Sequence, residues 1–356
     1  MNAEPDMMRL ALPGKGALET ATLAFLAECG LKVSRNNPRQ YLARMKSMPE
    51  MEVVFQRAAD IPLLVRDGDA MLGITGYDIL AEHRGDGGET RDEDEQDDEL
   101  IVLERDLGYG ACQLVVAVPE TWIDVSTCAD LWHLAGYYQS HKRRGLRIAT
   151  KYPALTKQFL RSQGITHCKI VTPHGALEAA PLTGTADLIV DLTETGTTLR
   201  ENRLKLLHDG VVLQSQACLI ANAQLLKQNP ALLRLATVIL ELVNAHMQAR
   251  NRSMLTASIP KTDGDTHTTI IQRLKVLLPG FECRVAGFEA DGDDVPPWYT
   301  LSGMVSVGRS APELVEMMTA LRAIGAEHID VTPLTYRFGE EPASVRALSA
   351  RLARMS

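Results

Sequence analysis

The sequence predicts an α/β protein: a body of parallel β-α units folded as two lobes, followed by a small β-α-β-β-α-β tail. Three observations predict this. From Met8 to Val190, short apolar runs rich in β-branched residues alternate with stretches of helical period. A late strand, Gln216–Ile220, follows the second set of units, where a chain returning to its first lobe would add one. Beyond a long helix, residues 253–333 run strand, helix, strand, strand, helix, strand, which is the order of the ferredoxin-like split unit.

The elements follow in chain order. Met8–Leu12 is a strand closed by Pro13, and the loop Gly14-Lys15-Gly16 leads into a helical stretch, Leu18–Leu26, that stops near Gly30. Met51–Gln56 has the composition of a strand, Ile61–Asp67 of a short helix, and Ala70–Thr75 of a buried strand running into Gly76. The second lobe has strands at Ala111–Val118, Arg147–Thr150, Cys168–Val171 and Ala186–Val190, with a helix at Leu155–Gln163. Pro230–Arg252 is one amphipathic helix with proline in its first turn, a favoured place. In the tail, Ser253–Ile259, Phe281–Gly287, Trp298–Val307 and His328–Pro333 are strands. Asp265–Leu278 and Ala311–Ile324 are helices, ended by Pro279-Gly280 and Gly325, and the Leu/Met stripe of the latter reads as core packing. The domains are therefore expected at 7–105 with 206–250, at 106–205 and at 253–340.

Charge and composition exclude several classes. The chain of 356 residues carries 37 basic and 45 acidic side chains, a formal charge of −8. The stretch 85–99, GDGGETRDEDEQDDE, holds the whole excess, since its nine acids and one Arg leave the remaining residues balanced. It has almost no apolar residue to bury and reads as a solvated insertion in a surface loop. A neutral body lacks the basic face of a general nucleic-acid binder. No apolar run approaches the ~18–20 residues that span a bilayer, and Met1–Leu12 does not read as a secretory signal. The six cysteines form no CxxC pair, which fits buried thiols in a reducing cytoplasm. The nine histidines form no HxxxH or HExxH cluster. Gly14-Lys15-Gly16 lacks the upstream glycine and the Ser/Thr of a Walker loop, and Gly108-Tyr109-Gly110 lacks the third glycine of a dinucleotide fingerprint.

The most informative segment is Ala186–Asn202, ADLIVDLTETGTTLREN. An apolar strand ends in an acid, a Thr/Gly loop follows, and a helix starts near Thr198. Unpaired N–H groups at a helix start attract phosphate, Gly196 permits a tight loop, and the hydroxyls of Thr195, Thr197 and Thr198 can donate to phosphate oxygens. Asp191 and Glu194 are then placed for sugar hydroxyls or, through water, for Mg²⁺. The plainer alternative is that Thr197 or Thr198 only caps the helix and Asp191 is a solvated strand end.

That segment resembles the phosphoribosyl-pyrophosphate loop of the phosphoribosyltransferases, and DLTETGTTLRENRL is similar in particular to that of the ATP phosphoribosyltransferases. LALPGKGAL (Leu10–Leu18), QRAADIP (Gln56–Pro62), LGITGYD (Leu72–Asp78), RIATKYP (Arg147–Pro153) and HGALEAA (His174–Ala180) resemble the family's cleft segments. Leu278-Pro279-Gly280 and LRAIGA (Leu321–Ala326) resemble the C-terminal domain of its long form. Three departures stand out: Ala17 where many members carry Arg after Lys-Gly, Arg203 where they carry the glycine of Asn-Gly-Leu, and the diverged Ala286–Tyr299 stretch around Pro296-Pro297.

The resemblance implies a periplasmic-binding-protein-like body with its active site in the cleft between the lobes, plus a C-terminal ferredoxin-like regulatory domain. It implies transfer of the phosphoribosyl group of phosphoribosyl pyrophosphate to N1 of ATP, the first step of histidine biosynthesis. Mg²⁺ is then the expected cofactor, histidine the expected effector, and a homo-oligomer (hexamer or dimer) in the cytoplasm the expected assembly. Lys15 and Arg57 would stabilise charge on departing pyrophosphate; the plainer readings are a solvated loop lysine and a surface ion pair. Asp191, Thr193, Glu194, Thr195, Gly196, Thr197 and Thr198 would hold phosphoribosyl pyrophosphate. Gly76, Tyr152 and Glu178 would line the nucleotide site, although Tyr152 suits packing and Glu178 a helix surface. The rival expectations are a two-lobed small-molecule binding protein without chemistry and a regulatory paralogue.

Overall fold

Parallel β-α units build the first sheet. The structure is a computed structural model that describes residues 8–35, 37, 39–85, 99–172, 176–260, 269–273, 283–288, 298–306 and 311–355. It divides into two units, Met1–Leu240 with Glu341–Ser356, and Glu241–Glu340.

In the first unit, β1 (Met8–Pro13) pairs in parallel with β4 (Met51–Gln56) and β5 (Leu72–Gly76). Strand β5 is buried throughout and β4 alternates buried with half-buried positions, as sheet-core strands covered on one or both faces do. Short β2 (Val33–Ser34) and β3 (Leu42–Met45) extend one edge, and β12 (Ala217–Asn222) and β6 (Leu100–Glu104) the other, giving the order β2-β3-β4-β1-β5-β12-β6. Helix α1 (Ala17–Glu28) stops before Gly30, whose φ of 72° terminates it. Helices α2 (Ile61–Arg66) and α3 (Tyr77–Gly85) follow β4 and β5.

The second sheet has the order β11-β7-β10-β8-β9, formed by β7 (Cys112–Pro119), β8 (Leu146–Thr150), β9 (Cys168–Val171), β10 (Leu188–Thr193) and β11 (Leu204–Ser215). Strands β9, β8 and β10 are parallel, β7 runs antiparallel to β10, and β11 runs antiparallel to β7. Helix α4 (Cys128–His141) begins with a capping box between Thr127 and Asp130 and buries Cys128, Leu131, Ala135 and Tyr138. Its partners include Leu114, Val116, Ile148, Leu188 and Val190. Helices α5 (Pro153–Ser162) and α6 (Thr197–Glu201) follow β8 and β10. Below β10, Asp187 accepts from Arg144 at 2.9 Å and from Arg147 at 3.1 Å. Burial opposes ionisation of Asp187, but the Arg144 and Arg147 hydrogen bonds outweigh it and hold the carboxyl well below the usual range.

Two short crossings join the sheets. Leu107 N–H donates to Ala217 O, Ala217 N–H to Tyr109 O, and the Gln216 side chain to Arg105 O. Gly108 and Gly110, with φ of 73° and 69°, make the tight bends of the outgoing crossing. Strand β11 stays in the second sheet to Ser215, so the return falls at Gln216 and not at 206. Helices α7 (Ala223–Gln228) and α8 (Pro230–Ala249) follow β12.

Helix α8 is long and apolar enough to cross a membrane by length and composition, although Arg234 and Glu241 interrupt its apolar run. Its buried positions Ala236, Ile239, Leu240 and Val243 recur at helical spacing, while Val238 is exposed, the pattern of an amphipathic helix set on a core.

In the second unit, β13 (Arg252–Pro260), β14 (Cys283–Phe288), β15 (Trp298–Ser306) and β16 (Glu327–Pro333) form an antiparallel sheet ordered β14-β15-β13-β16. The helical residues 269–273 (α9) and helix α10 (Ala311–Ala323) complete the β-α-β-β-α-β unit, with Ile270, Met317 and Leu321 buried against Leu255, Ala257 and Leu301. The rest of the helix expected over Asp265–Leu278, the acidic residues 86–98 and the Pro296-Pro297 stretch lie outside the described residues. Helix α11 (Ala343–Arg354) returns to the first unit, where Lys227 donates to Met355 O.

Three cysteines, Cys29, Cys128 and Cys218, are buried thiols, whereas Cys112 and Cys168 are half-buried. Burial pushes the Cys29, Cys128 and Cys218 thiols up to about 12, which suits inert core residues.

Arg203, which follows α6 where the resembled family carries glycine, has φ 56°. A non-glycine side chain in that region costs about 1–2 kcal/mol, and glycine gives back part of this in unfolded-state entropy. Arg203→Gly is therefore expected to raise stability by about 0.5–1 kcal/mol, read as a higher denaturation midpoint at unchanged denaturant slope.

Candidate active site

Both sheets of the first unit present candidate residues at the carboxyl ends of adjacent parallel strands, the place where open α/β sheets bind ligands. In the second sheet the chain leaves β9 toward Glu178, β8 into Lys151-Tyr152, and β10 into Thr193–Thr198. In the first, Lys15, Arg57 and Gly76 follow or end β1, β4 and β5, and Gly14 N–H donates to Gln56 O at 2.7 Å. Lys15 and Arg57 are both exposed, and no salt bridge among the described residues engages either.

A cavity of about 240 Å³ lies over the β10–α6 loop, lined by Glu178, Asp191, Thr193, Glu194, Thr195, Thr197 and Thr198 together with Leu192 and Leu199. All seven polar lining residues are among the candidates named from the sequence. Gly196 is the N-cap residue of α6, with φ 73°, and no side chain caps the helix. The plain capping role considered for Thr197 or Thr198 does not hold. Instead Thr193 Oγ1 accepts from Gly196 N–H at 2.8 Å, and the Thr195 and Thr197 hydroxyls lie 2.9 Å apart. Arg200 donates to Thr197 Oγ1 at 3.2 Å, bringing a positive charge to the loop.

Asp191 is the unusual acid here. Burial pushes its carboxyl up to about 6; the Leu192 N–H bond opposes this, Glu178 adds to it, and Lys151 opposes it. Lys151, which sequence reasoning did not single out, is thus a near cation of the site, and its position in the RIATKYP segment was the available signal. His174 and Gly175 lie outside the described residues.

Tyr152 and Gly76 meet at one carboxylate. The Tyr152 hydroxyl donates to Asp78 Oδ2 at 2.6 Å, and its ring packs against the second lobe's core. Gly76 is buried, and a Cβ built there would stand 2.4 Å from Asp78 Oδ1. Both therefore contact Asp78, a buried carboxylate that closes the LGITGYD segment and has no role assigned from the sequence.

A two-lobed α/β body with a Thr/Gly loop between strand and helix at a carboxyl edge, a half-buried acid beside it and two exposed cations after strands of the other sheet is an arrangement suited to a phosphorylated ligand. Comparison narrows the class. The family model of ATP phosphoribosyltransferase matches residues 57–245. The ATP phosphoribosyltransferase of Bradyrhizobium diazoefficiens is 34% identical over 97% of this chain and 98% of its own. The chloroplastic ATP phosphoribosyltransferase 2 of Arabidopsis thaliana is 36% identical over 94% of this chain and 78% of its own. The ATP phosphoribosyl transferase (HisG:HisZ) complex of Thermotoga maritima is 25% identical over 67% of this chain and 99% of the solved one, with a TM-score of 0.47. The chain belongs to the ATP phosphoribosyltransferase family.

Proposed function

We infer that this protein joins phosphoribosyl pyrophosphate to ATP, giving phosphoribosyl-ATP and pyrophosphate, as the first step of histidine biosynthesis. The family match along nearly the whole chain carries this reading, and the β10–α6 loop gives it a site. N1 of adenine attacks the anomeric carbon, a C–N bond forms, and the bond to pyrophosphate oxygen breaks. No protein nucleophile is required. The protein's work is to align two polyanions and to stabilise charge on the leaving group.

Each residue then has a role in the proposal. First-turn N–H groups of α6 and the hydroxyls of Thr193, Thr195, Thr197 and Thr198 hold the 5′-phosphate, and Gly196 sets the loop. Asp191 accepts from ribose hydroxyls, with Glu194 beside it. Lys15 and Arg57 meet the pyrophosphate from the other lobe, and Gly76, Tyr152 and Glu178 border the nucleotide. Among the described residues no group of three or more His, Cys, Asp or Glu is arranged to hold a metal. Mg²⁺ would instead be carried mainly by the substrates, with Asp191 and Glu178 the cavity carboxylates that would help hold it. Bound there, it would neutralise charge on pyrophosphate. We further propose a cytoplasmic homo-oligomer, a hexamer or a dimer. Its C-terminal unit would bind histidine as feedback inhibitor, shifting the enzyme between active and inactive arrangements.

Mixing ATP, phosphoribosyl pyrophosphate and Mg²⁺ while following pyrophosphate release and the ultraviolet absorbance of N1-substituted adenine tests the reaction. A folded protein without turnover at any histidine level would return the chain to the rival readings, a binding protein or a regulatory paralogue.

Asp191 supplies a pH prediction. Its native pKa of about 6 exceeds the ordinary ~3.9, so ionisation costs stability above pH 6, and that cost fades as pH falls through 6 toward 4. Binding runs the other way, because ribose hydroxyls need the ionised acceptor. The kcat/KM for phosphoribosyl pyrophosphate should fall as pH drops below about 6, and Asp191→Asn should lose this limb along with activity. The same limb in the variant would reassign it.

A further inference from the structure

Helix α5 is capped from the other lobe. Its own N-cap residue, Tyr152, makes no capping bond, and Pro153 has no N–H. The next two N–H groups, of Ala154 and Leu155, donate to Glu82 Oε1 at 2.7 Å and Oε2 at 2.9 Å. Glu82 belongs to α3 of the first lobe, so one carboxylate closes the first turn of a second-lobe helix and meets its positive end. One turn earlier on α3, Asp78 makes a second tie. Its Oδ1 accepts from Ser215 Oγ at 2.7 Å, its Oδ2 from Tyr152 at 2.6 Å, and its own N–H donates to Ser215 Oγ at 2.8 Å. Ser215 ends β11 of the second sheet. Gly76 leaves room for the Asp78 carboxylate, and Gly85, at the end of α3, would place a Cβ 3.2 Å from that of Ala154.

These contacts fix the segment Lys151-Tyr152-Pro153, whose lysine acts on Asp191 in the cavity. The Asp78 tie lies beside the crossing at Gln216, where Tyr77 N–H donates to Gln216 O at 2.8 Å. The Glu82 tie lies one turn further along α3 from that crossing, about which two lobes can turn.

We propose that Glu82 and Asp78 are positioning residues of the transfer reaction, an inter-lobe clamp that holds the substrate cleft closed before substrate arrives. The proposal rests on the transferase reading above. A clamp formed without ligand raises the fraction of molecules competent to bind. Removing it multiplies substrate affinity by the fraction of molecules that stays competent, while leaving the closed, saturated complex intact.

Glu82→Ala, isosteric Glu82→Gln and the shorter Glu82→Asp are compared with the full-length wild type. Steady-state kinetics are followed, together with calorimetric binding of phosphoribosyl pyrophosphate with Mg²⁺. Glu82→Ala and Glu82→Gln are expected to raise the KM for both substrates and the Kd for phosphoribosyl pyrophosphate by about 10-fold, with kcat within twofold. Glu82→Asp, which keeps the charge, should fall between them and wild type. Asp78→Asn should shift the same constants in the same direction. Unchanged KM and Kd with a lower kcat per mole of protein would assign Glu82 to folding alone and overturn the clamp. Constants unchanged throughout would also overturn it. Where Glu82→Ala reduces the yield of folded protein, Glu82→Gln decides. Absent turnover by the wild type would instead refute the transferase reading, and the calorimetric arm would still judge the clamp.

Discussion

Arg57→Ala is expected to lower kcat by about 10²–10³ while the KM for ATP changes little. The magnitude is that of removing one preorganised charge from a site where charge develops in the transition state. Arg57 follows β4 next to the Gly14–Gly16 loop that follows β1, with Gly14 N–H bonded to Gln56 O across the two strands. Its guanidinium is exposed and unengaged in any salt bridge among the described residues, so it is available for a polyanion. Arg57→Lys should recover only part of the rate, because an ammonium keeps the charge but not the planar fork that matches two phosphate oxygens. Lys15→Ala should behave similarly but more mildly, as a point charge on the neighbouring loop. Single-turnover rates with both substrates saturating give the measurement. A loss below threefold in Arg57→Ala would place the pyrophosphate elsewhere, whatever the steady-state constants do.

The parallel strands were legible because their signal is local. MEVVFQ and CKIV carry β-branched residues in runs bounded by turns, and the structure returns both at the expected residues. Strand β11, LKLLHDGVVLQS, was missed because it is an edge strand. It has charged and polar positions facing water, a Gly210 in its middle and register shifts on either side of Val211. Helix α4 was hidden by its composition, CADLWHLAGYYQSH, in which Gly136, two tyrosines and two histidines blur the helical period that Leu131, Ala135 and Tyr138 follow. Strand β6, LIVLE, stands directly after the acidic stretch, and only pairing with β12 explains its place.

The cavity lining was legible for a different reason. The proposed phosphate loop is contiguous, so Asp191 to Thr198 carries strand, acid, hydroxyls and glycine in one segment. The clamp is not contiguous. Asp78 and Glu82 stand four residues apart with nothing in the local sequence to mark them, and their partners Tyr152, Ala154, Leu155 and Ser215 lie 72–137 residues away. Only closure of the lobes puts them together. Gly76 shows the ambiguity in a single residue. A glycine at a strand end suits a close nucleotide, yet here the nearest atom to its missing Cβ is a carboxylate oxygen of the same chain.

Gly196→Val is expected to lower kcat/KM for phosphoribosyl pyrophosphate by about 10² or more while the protein stays folded. The argument starts from backbone strain, not bulk. Gly196 has φ 73°, and the closest atom to a Cβ there is the flexible tip of Arg200 at 3.2 Å, which can move. A β-branched residue held in this conformation costs about 1–3 kcal/mol, so the chain should relax toward negative φ instead. That rotation breaks the 2.8 Å bond from Gly196 N–H to Thr193 Oγ1 and turns the first N–H groups of α6 away from the cavity. Gly196→Asn separates this from a steric account, since Asn tolerates the left-handed region better than other side chains; it should keep activity within about tenfold of wild type. Replacing Thr195 and Thr197 with Val leaves the backbone in place and removes two hydroxyls, so it should raise KM for phosphoribosyl pyrophosphate by about tenfold, two hydrogen bonds' worth at most. Equal losses in the Val and Asn variants at 196 would show that the loop conformation is not what binds phosphate, and Thr-to-Val kinetics matching wild type would remove the hydroxyls from the cradle. If the order Gly196→Val, then Thr195/Thr197→Val, then Gly196→Asn holds, the backbone amides are the main anion ligand and the threonines refine it.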